Sequence, residues 1–318
     1  MTPGKIRLAT RGSALALTQA RYVSELLGGA ELVEVSSDGN ARDKARFVRG
    51  VEWALLADEA ELGVHSAKDL PAEMPDDLLI AAVPAREDPR DAWIGAGTSL
   101  DDVPEGARVG TASLRRRAQL LAARPDLQVR ELHGNVDTRL RRLTEGELDA
   151  IVLAAAGLRR LGRESEASFT IPTELMTPAA GQGALVLQTR TADEATSAAV
   201  GALGDWAALH ELTAERAVIA PLEASCATPI GVHAKVDGER IELEAFVGLP
   251  DGSEWIRDRV EGKAEQPAEV GTLLAERLLA AGATDVLKRA EKWNPTADGP
   301  VPSHIGTEPA HRPGKRGN

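Results

Sequence analysis

Short apolar runs alternate with amphipathic stretches through the first two thirds of the chain. The apolar runs predict strands at residues 5–9, 31–35, 61–65 and 78–83, and the amphipathic stretches predict helices at 13–27 and 51–57. Ser13 is placed to cap the first helix, and the glycine pair at 28–29 is placed to end it. This rhythm of strand and helix is typical of a largely parallel α/β sheet.

A second unit of the same kind follows the stretch 88–91, which contains proline and aspartate. Its pattern predicts strands at 108–110, 126–132 and 150–154, with helices at 114–123 and 136–145. The small residues at 179–183 suit a crossing or a hinge. We therefore expect two α/β units in the first two thirds of the chain.

The last third of the chain has a different pattern. Helices are predicted at 206–219 and 267–281, and between them residues 231–235 and 240–247 alternate like antiparallel strands around Asp237 and Gly238. This combination indicates a separate α+β domain. Residues 294–318 are rich in proline, glycine and histidine and lack periodicity, so we expect a disordered tail.

Composition excludes several classes of protein. The chain has 318 residues and a single cysteine, so an internal disulfide and a multi-cysteine zinc site are both excluded. No apolar run reaches the roughly 18 residues of a membrane helix, and the N-terminal stretch lacks the apolar core of a signal peptide. We expect a cytoplasmic protein without a membrane partner. The net charge of −12 and the 3% aromatic content argue against a nucleic-acid partner.

Positive charge is nevertheless concentrated in one segment, residues 111–142. It holds eight arginines against three acidic residues. Such a patch on an acidic protein indicates either a small anionic ligand or a solvated helix face. Arginine also precedes or opens three predicted helices, at Arg11, at the pair Arg115 and Arg116, and at Arg139. A cation there opposes the helix dipole, so the repetition favours an anion site lined by these arginines.

Two further residues are candidates for chemistry. Asp69 follows a predicted strand and precedes Pro71, where its carboxylate suits proton transfer or stabilisation of a cation, or else caps a turn beside Lys68. Cys226 lies among small residues before a proline, as either an attachment point or an inert thiol. The histidines show no metal-ligand spacing, so we expect no metal.

Taken in order, these segments resemble the porphobilinogen deaminase (hydroxymethylbilane synthase) family. The matching motifs cover most of the chain and lie at residues 9–17, 64–71, 86–91, 109–116, 134–140, 155–162, 178–184 and 214–216 and around Cys226. The resemblance implies a transferase of porphyrin, heme and other tetrapyrrole biosynthesis that condenses four porphobilinogen molecules head to tail into the linear tetrapyrrole hydroxymethylbilane and releases ammonia. It also implies a monomer.

The resemblance assigns roles to individual residues. It implies a dipyrromethane cofactor held by a thioether to Cys226 and makes Asp69 the catalytic carboxylate. The carboxylate-binding arginines fall on Arg11, Arg115, Arg116, Arg139 and Arg160. Other contacts to the cofactor or the growing chain fall on Ser13, Ser66, Lys68, Thr111, Ser113 and His133. Because each pyrrole carries acetate and propionate groups, arginine suits this polyanionic ligand.

The family fold implies two periplasmic-binding-protein-like (type II) α/β domains plus a small α+β C-terminal domain that carries the cysteine. We expect residues 1–88 with 184–203 to form domain 1, 91–180 domain 2 and 206–293 domain 3.

The chain departs from the family pattern at three places. The glycine-rich loop is replaced by residues 41–47, an arginine is replaced by His133, and the residue before the cysteine is Ser225. These changes leave open a catalytically impaired paralogue that binds an anionic pyrrole or another carboxylate ligand. A solute-binding or ligand-sensing module is a third hypothesis, which the ordered motifs and Cys226 argue against.

Overall fold

The computed structural model describes residues 5–35, 46–222 and 228–293. The predicted tail at 294–318, most of the altered loop at 41–47, and Ser225 and Cys226 lie outside these residues. In the described part of the chain, no helix is both long enough and apolar enough to cross a bilayer.

Strands and helices alternate through the first two thirds of the chain and then separate. In chain order the strands are β1 (Arg7–Arg11), β2 (Glu31–Val35), β3 (Leu62–Ser66), β4 (Leu78–Ala82), β5 (Asp91–Gly95), β6 (Arg108–Gly110), β7 (Gln128–Arg130), β8 (Ala150–Ala154), β9 (Phe169–Ile171), β10 (Leu185–Arg190), β11 (Ile230–Asp237), β12 (Arg240–Gly248) and β13 (Trp255–Lys263). The helices are α1 (Ala14–Leu26), α2 (Arg46–Leu56), α3 (Leu114–Ala123), α4 (Val136–Thr144), α5 (Ala155–Arg160), α6 (Glu194–Gly201), α7 (Trp206–Ile219), α8 (Pro267–Ala280) and α9 (Ala283–Glu291).

Two five-stranded sheets share one topology. The first has the order β2-β1-β3-β10-β4 and the second the order β7-β6-β8-β5-β9. In each sheet the fourth strand, β10 or β5, is antiparallel to both of its neighbours, and the other pairs are parallel. That strand is the first one after the chain crosses from the other sheet. The chain thus crosses once in each direction, and the parallel strands end at loops that can line a shared crevice.

The two crossing segments touch each other. The backbone N–H of Glu87, which follows β4, donates to the carbonyl of Gly183, which precedes β10, over 3.2 Å. Gly183 has φ of +92°, and a Cβ there would lie 2.2 Å from the Glu87 carbonyl oxygen. Only glycine therefore fits where the crossings meet.

A third sheet, with the order β11-β12-β13, is antiparallel and packs against α7 and α8. Its core includes Val232, Leu243 and Leu274, all fully buried. Glu215 of α7 joins this domain to both crossing segments, since its carboxylate accepts from Arg86 at 2.8 Å and from the Gly181 N–H at 2.6 Å. The predicted fold class, two α/β domains and a small α+β domain, is confirmed. The domain limits given above stay a prediction.

The hydrophobic pattern does not predict every strand. It leaves out β5, β9, β10 and β13, and it makes β7 longer than the structure does. The strand β5 opens with a buried aspartate, Asp91, and β13 carries charged residues on much of its length, so neither has the apolar run expected of a strand. The helix α2 begins at Arg46 rather than at residue 51.

Candidate functional site

The loops that follow the parallel strands carry most of the predicted site residues of the first domain. Arg11 is the last residue of β1. Ser13, two residues later, caps α1, since its hydroxyl accepts a hydrogen bond from the Ala16 N–H at 3.3 Å. Ser66 ends β3, and its hydroxyl accepts from the side-chain amide of the buried Gln19 at 3.0 Å. The ends of these two strands thus lie side by side, joined by α1.

A short 3₁₀ turn, Ala67–Asp69, follows β3 and places Lys68 and Asp69 together. The Nζ of Lys68 donates to Oε1 of Gln182 over 3.2 Å. Burial lowers the pKa of Lys68 to about 8, with a further contribution from the nearby Arg116 cation, although the Asp69 carboxylate acts in the opposite direction. Asp69 is partly buried, and its carboxylate accepts no hydrogen bond from the other described residues.

Arg115 and Arg116 are buried and share one carboxylate, that of Asp91. Arg115 donates to Asp91 at 2.8 Å and to the Thr177 carbonyl at 2.8 Å. Arg116 donates to Asp91 at 2.7 and 3.0 Å and to the Val152 carbonyl at 3.0 Å. Burial alone would raise the pKa of Asp91, but the two guanidinium groups outweigh it and hold that pKa well below its usual range. These arginines therefore have an internal counter-ion, which the sequence analysis did not assign.

Two buried hydrogen-bonding groups of the cluster were missed from the sequence. Asp91 was noted only as the end of a motif, and Gln182 only as part of a short glycine-containing turn. The Gln182 amide donates to Asp91 at 2.9 Å and accepts from Lys68, so it lies between the first domain's turn and the second domain's arginines. The signal that could have found them is a charged or amide residue inside an otherwise small or apolar segment.

Arg139 of α4 differs from the buried arginines above. Its Nε is buried without a hydrogen-bond partner in the described structure. Burial, together with the neighbouring Arg116 cation, lowers the pKa of Arg139 to about 10. An uncompensated guanidinium in this position favours an anionic ligand as its missing partner.

Arg160 lies at the end of α5, beside the crossing segments. One of its Nη atoms donates to the Gly183 carbonyl at 2.7 Å. Burial lowers the pKa of Arg160, and the carboxylate of Glu87 opposes that shift. The side chain is thus directed toward the meeting point of the two domains.

The hydroxyl groups of the second domain have local partners. The Thr111 hydroxyl accepts from the Ser113 N–H at 3.1 Å, and the Ser113 hydroxyl caps α3 by accepting from the Arg116 N–H at 3.4 Å. These contacts shape the loop that leads into α3 and leave the hydroxyl protons available for donation.

His133 is separate from the buried cluster. Its side chain is 71% exposed, and its Nε2 lies 2.6 Å from the Glu131 carboxylate. Cys226 falls in the segment 223–227, outside the described residues. The structure therefore brings together Lys68, Arg115, Arg116 and Arg139 and does not bring His133 to them.

This arrangement favours a ligand with several carboxylates. The turn at Lys68 and the helices α3 and α4 direct four cations toward one region, and Asp91 is the one acid hydrogen-bonded to the arginines there among the described residues. Excess positive charge in a partly buried crevice attracts anions and orients them by bidentate contacts.

Solved structures that match this chain have low sequence identity and low TM-scores. A TRAP periplasmic solute binding protein from Desulfovibrio salexigens gives a TM-score of 0.39 at 10% identity, covering 63% of this chain and 72% of its own. The second substrate binding domain of a putative amino acid ABC transporter from Streptococcus pneumoniae gives a TM-score of 0.40 at 12% identity. The match covers 62% of this chain and 90% of that domain's chain.

Relatives by sequence are much more similar. The porphobilinogen deaminase of Syntrophus aciditrophicus is 43% identical over 306 residues, which cover 91% of this chain and 100% of the relative. The porphobilinogen deaminase of Brevibacillus brevis is 42% identical over 308 residues, which cover 92% of this chain and 99% of the relative. The family model "Porphobilinogen deaminase, dipyromethane cofactor binding domain" matches residues 6–198, and "Porphobilinogen deaminase, C-terminal domain" matches residues 209–280. With both models matched in order and full-length relatives at this identity, the chain belongs to the porphobilinogen deaminase family.

Proposed function

We propose that the protein is a hydroxymethylbilane synthase, a transferase of tetrapyrrole biosynthesis. It joins four porphobilinogen molecules head to tail into hydroxymethylbilane and releases ammonia, acting as a cytoplasmic monomer. The observation that carries the proposal is the buried cationic cluster in a chain of this family. In that cluster the Arg139 Nε has no hydrogen-bond partner among the described residues.

The residues present suit a dipyrromethane cofactor, which is an oligocarboxylate. Arg116 acts electrostatically on both Lys68 and Arg139, so the crevice keeps positive charge beyond what Asp91 neutralises. A carboxylate would give the buried Arg139 Nε the acceptor it lacks. We propose that the cofactor is held by a thioether to Cys226; when bound, it supplies the pyrrole carbon to which the first porphobilinogen is joined.

The remaining predicted residues have binding roles in this proposal. Arginine suits the acetate and propionate groups because its planar fork donates two parallel hydrogen bonds. Arg115 and Arg116 act with Asp91 as a fixed cationic unit. The other groups that would bind the cofactor or the chain are Arg11, Arg139, Arg160, Lys68, Ser13, Ser66, Thr111, Ser113 and His133.

Asp69 is proposed to act on the reacting atoms. In each cycle the C–N bond of the porphobilinogen aminomethyl group breaks and ammonia leaves, and a C–C bond then forms to the terminal pyrrole, which loses a proton. The pyrrole nitrogen shares positive charge when ammonia has left. The Asp69 carboxylate, which lies next to Lys68 in the 3₁₀ turn, would stabilise that charge and assist the proton transfers.

The test compares Asp69→Asn with the wild-type protein in porphobilinogen consumption and in intact mass. We expect the wild type to consume porphobilinogen and to carry one covalent dipyrromethane at Cys226. Asp69→Asn should fold with unchanged stability and lose turnover by roughly 10²-fold or more, because an uncharged amide cannot stabilise the cation.

Asp76→Asn is the matched control, since Asp76 is an exposed acid shortly after the same turn. It should retain full turnover. A wild-type protein that neither consumes porphobilinogen nor carries a mass addition would refute the proposed function. Full turnover in Asp69→Asn would refute the proposed catalytic role of Asp69. The described residues give no support to the impaired paralogue.

A further inference from the structure

Gln182 lies in the second crossing segment, between β9 and β10, and its surroundings differ from those of a loop residue. The residue is 1% exposed. Its backbone is fixed on both sides, since its N–H donates to the Ala179 carbonyl at 2.9 Å and its carbonyl accepts from Arg86 Nε at 3.0 Å. The side chain therefore leaves a rigid backbone in a set direction.

The amide of Gln182 connects groups from two domains. Its Nε2 donates to Asp91 at 2.9 Å and to the Pro89 carbonyl at 2.7 Å, and its Oε1 accepts from Lys68 at 3.2 Å. Both partners of the nitrogen are acceptors and the partner of the oxygen is a donor, so the orientation of the amide follows from its contacts. A carboxylate or an apolar side chain cannot satisfy both sides.

Charges on both domains act on the lysine that Gln182 holds. Arg116 and Arg115 repel the Lys68 cation, and Asp69 and Asp91 attract it. The Gln182 carbonyl adds a fixed acceptor at Nζ, which sets the distance of Lys68 from the arginines and favours its charged form. Because Lys68 and Asp69 are adjacent in one 3₁₀ turn, holding the lysine also holds the carboxylate.

We propose that Gln182 is a positioning residue that fixes the Lys68–Asp69 turn of the first domain against the Asp91–arginine unit of the second. This role rests on the proposed function. Gln182 touches none of the reacting atoms; it acts through Lys68 on one side and through Asp91 on the other. Positioning errors of about an ångström cost enzymes up to roughly 10²-fold in rate, so loss of this link should be seen mainly in kcat.

The experiment uses the full-length, cofactor-loaded protein and three variants. Gln182→Leu removes both sides of the link with little change in volume, and Gln182→Glu replaces the donor by an acceptor and places a negative charge beside Lys68. Gln119→Leu is the matched control. Gln119 is 2% exposed and makes four side-chain hydrogen bonds without touching Lys68: two with the Thr177 backbone, one from Arg257 and one to the backbone carbonyl of Arg115.

We expect Gln182→Leu to lower kcat roughly ten- to a hundredfold with little change in KM for porphobilinogen. The alkaline limb of the kcat profile, where Lys68 loses its proton, should move to lower pH in Gln182→Leu and to higher pH in Gln182→Glu. Gln119→Leu should lower the melting temperature and leave kcat and its pH profile unchanged.

The outcomes separate this role from the proposed function. Wild-type kcat and an unmoved pH profile in both Gln182 variants would overturn the role while porphobilinogen consumption by the wild type stands. An equal loss of kcat in Gln119→Leu would also overturn it, as a general effect of hinge packing. If the wild type is inactive or a variant turns over too slowly, the ¹⁵N-detected titration of the Lys68 amine decides. Opposite shifts of its pKa in the two variants support the link, and equal pKa values refute it.

Discussion

Replacement of Asp91 by asparagine should destabilise the second domain strongly, because it leaves two buried arginines without their counter-ion. The Asp91 side chain is 0% exposed, and those of Arg115 and Arg116 are 5% and 7% exposed. Removing one partner of a buried ion pair costs about 3–5 kcal/mol. With a urea slope of about 3 kcal/mol per molar, the unfolding midpoint should fall by about 1–1.7 M.

The measurement is urea unfolding at pH 7 followed by circular dichroism, with Asp149→Asn as the matched control. Asp149 makes a bidentate contact to Arg108 of similar length, 2.7 and 2.9 Å, but both side chains are more than 40% exposed. Asp149→Asn should lower the urea unfolding midpoint far less than Asp91→Asn does, since water replaces the exposed contact. Equal shifts in the two variants would refute the claim that burial makes the Asp91 contacts important.

The pH dependence of the Asp91 effect has a definite sign. The arginines outweigh burial and depress the pKa of Asp91 in the folded protein, so its contribution to the free energy of unfolding is present above about pH 4, the unfolded value. The difference between wild type and Asp91→Asn should therefore be constant near neutral pH and shrink as the pH falls below about 4.

Three further results are expected. Arg139→Leu should keep or raise the melting temperature, because the buried Nε has no hydrogen-bond partner among the described residues. It should also raise KM for porphobilinogen by about tenfold, the loss of one charged contact; an unchanged KM would argue against carboxylate binding. Burial lowers the pKa of His65 to about 4 against about 6.5 when unfolded. Between these pH values the unfolded chain therefore binds one more proton than the folded protein does. As the pH falls from 6.5 to 4, the free energy of unfolding of the wild type should decrease by up to about 3 kcal/mol, and that of His65→Gln should not show this decrease. Urea unfolding midpoints measure the difference. Gly183→Ala should lower the melting temperature more than Gly146→Ala does. Both glycines have positive φ, but only the Cβ added at Gly183 would meet a backbone atom. Equal changes in melting temperature would contradict the close approach of the two crossing segments.

The parts of the fold that depend on local pattern could be predicted from the sequence. The helix predicted at 206–219 coincides with α7, and Ser13 caps α1 as expected. The strands β5 and β10 were missed because each becomes a strand by pairing antiparallel with strands from distant parts of the chain. Pairing of that kind leaves little trace in a short window of sequence.

The candidate site also has a part that the sequence predicts and a part that it does not. The ordered motifs identified the family, and they identified Asp69, Lys68 and the arginines as candidates, because strand ends and helix starts can be located along the chain. Which arginine is neutralised internally could not be predicted in this way. Asp91 is 24 and 25 residues from Arg115 and Arg116, and Gln182 is 114 residues from Lys68.

The amino-acid sequence by itself therefore determined the alternation of strands and helices, the separate C-terminal domain and the types of residue at each strand end. Tertiary structure alone decided that Arg115 and Arg116 bind Asp91 and that Gln182 connects the two domains. It also decided that the buried Arg139 Nε has no hydrogen-bond partner in the described part of the chain. The physical reason is that charge compensation and desolvation depend on distances in space. The chain sets those distances only when both crossings between the two sheets have formed.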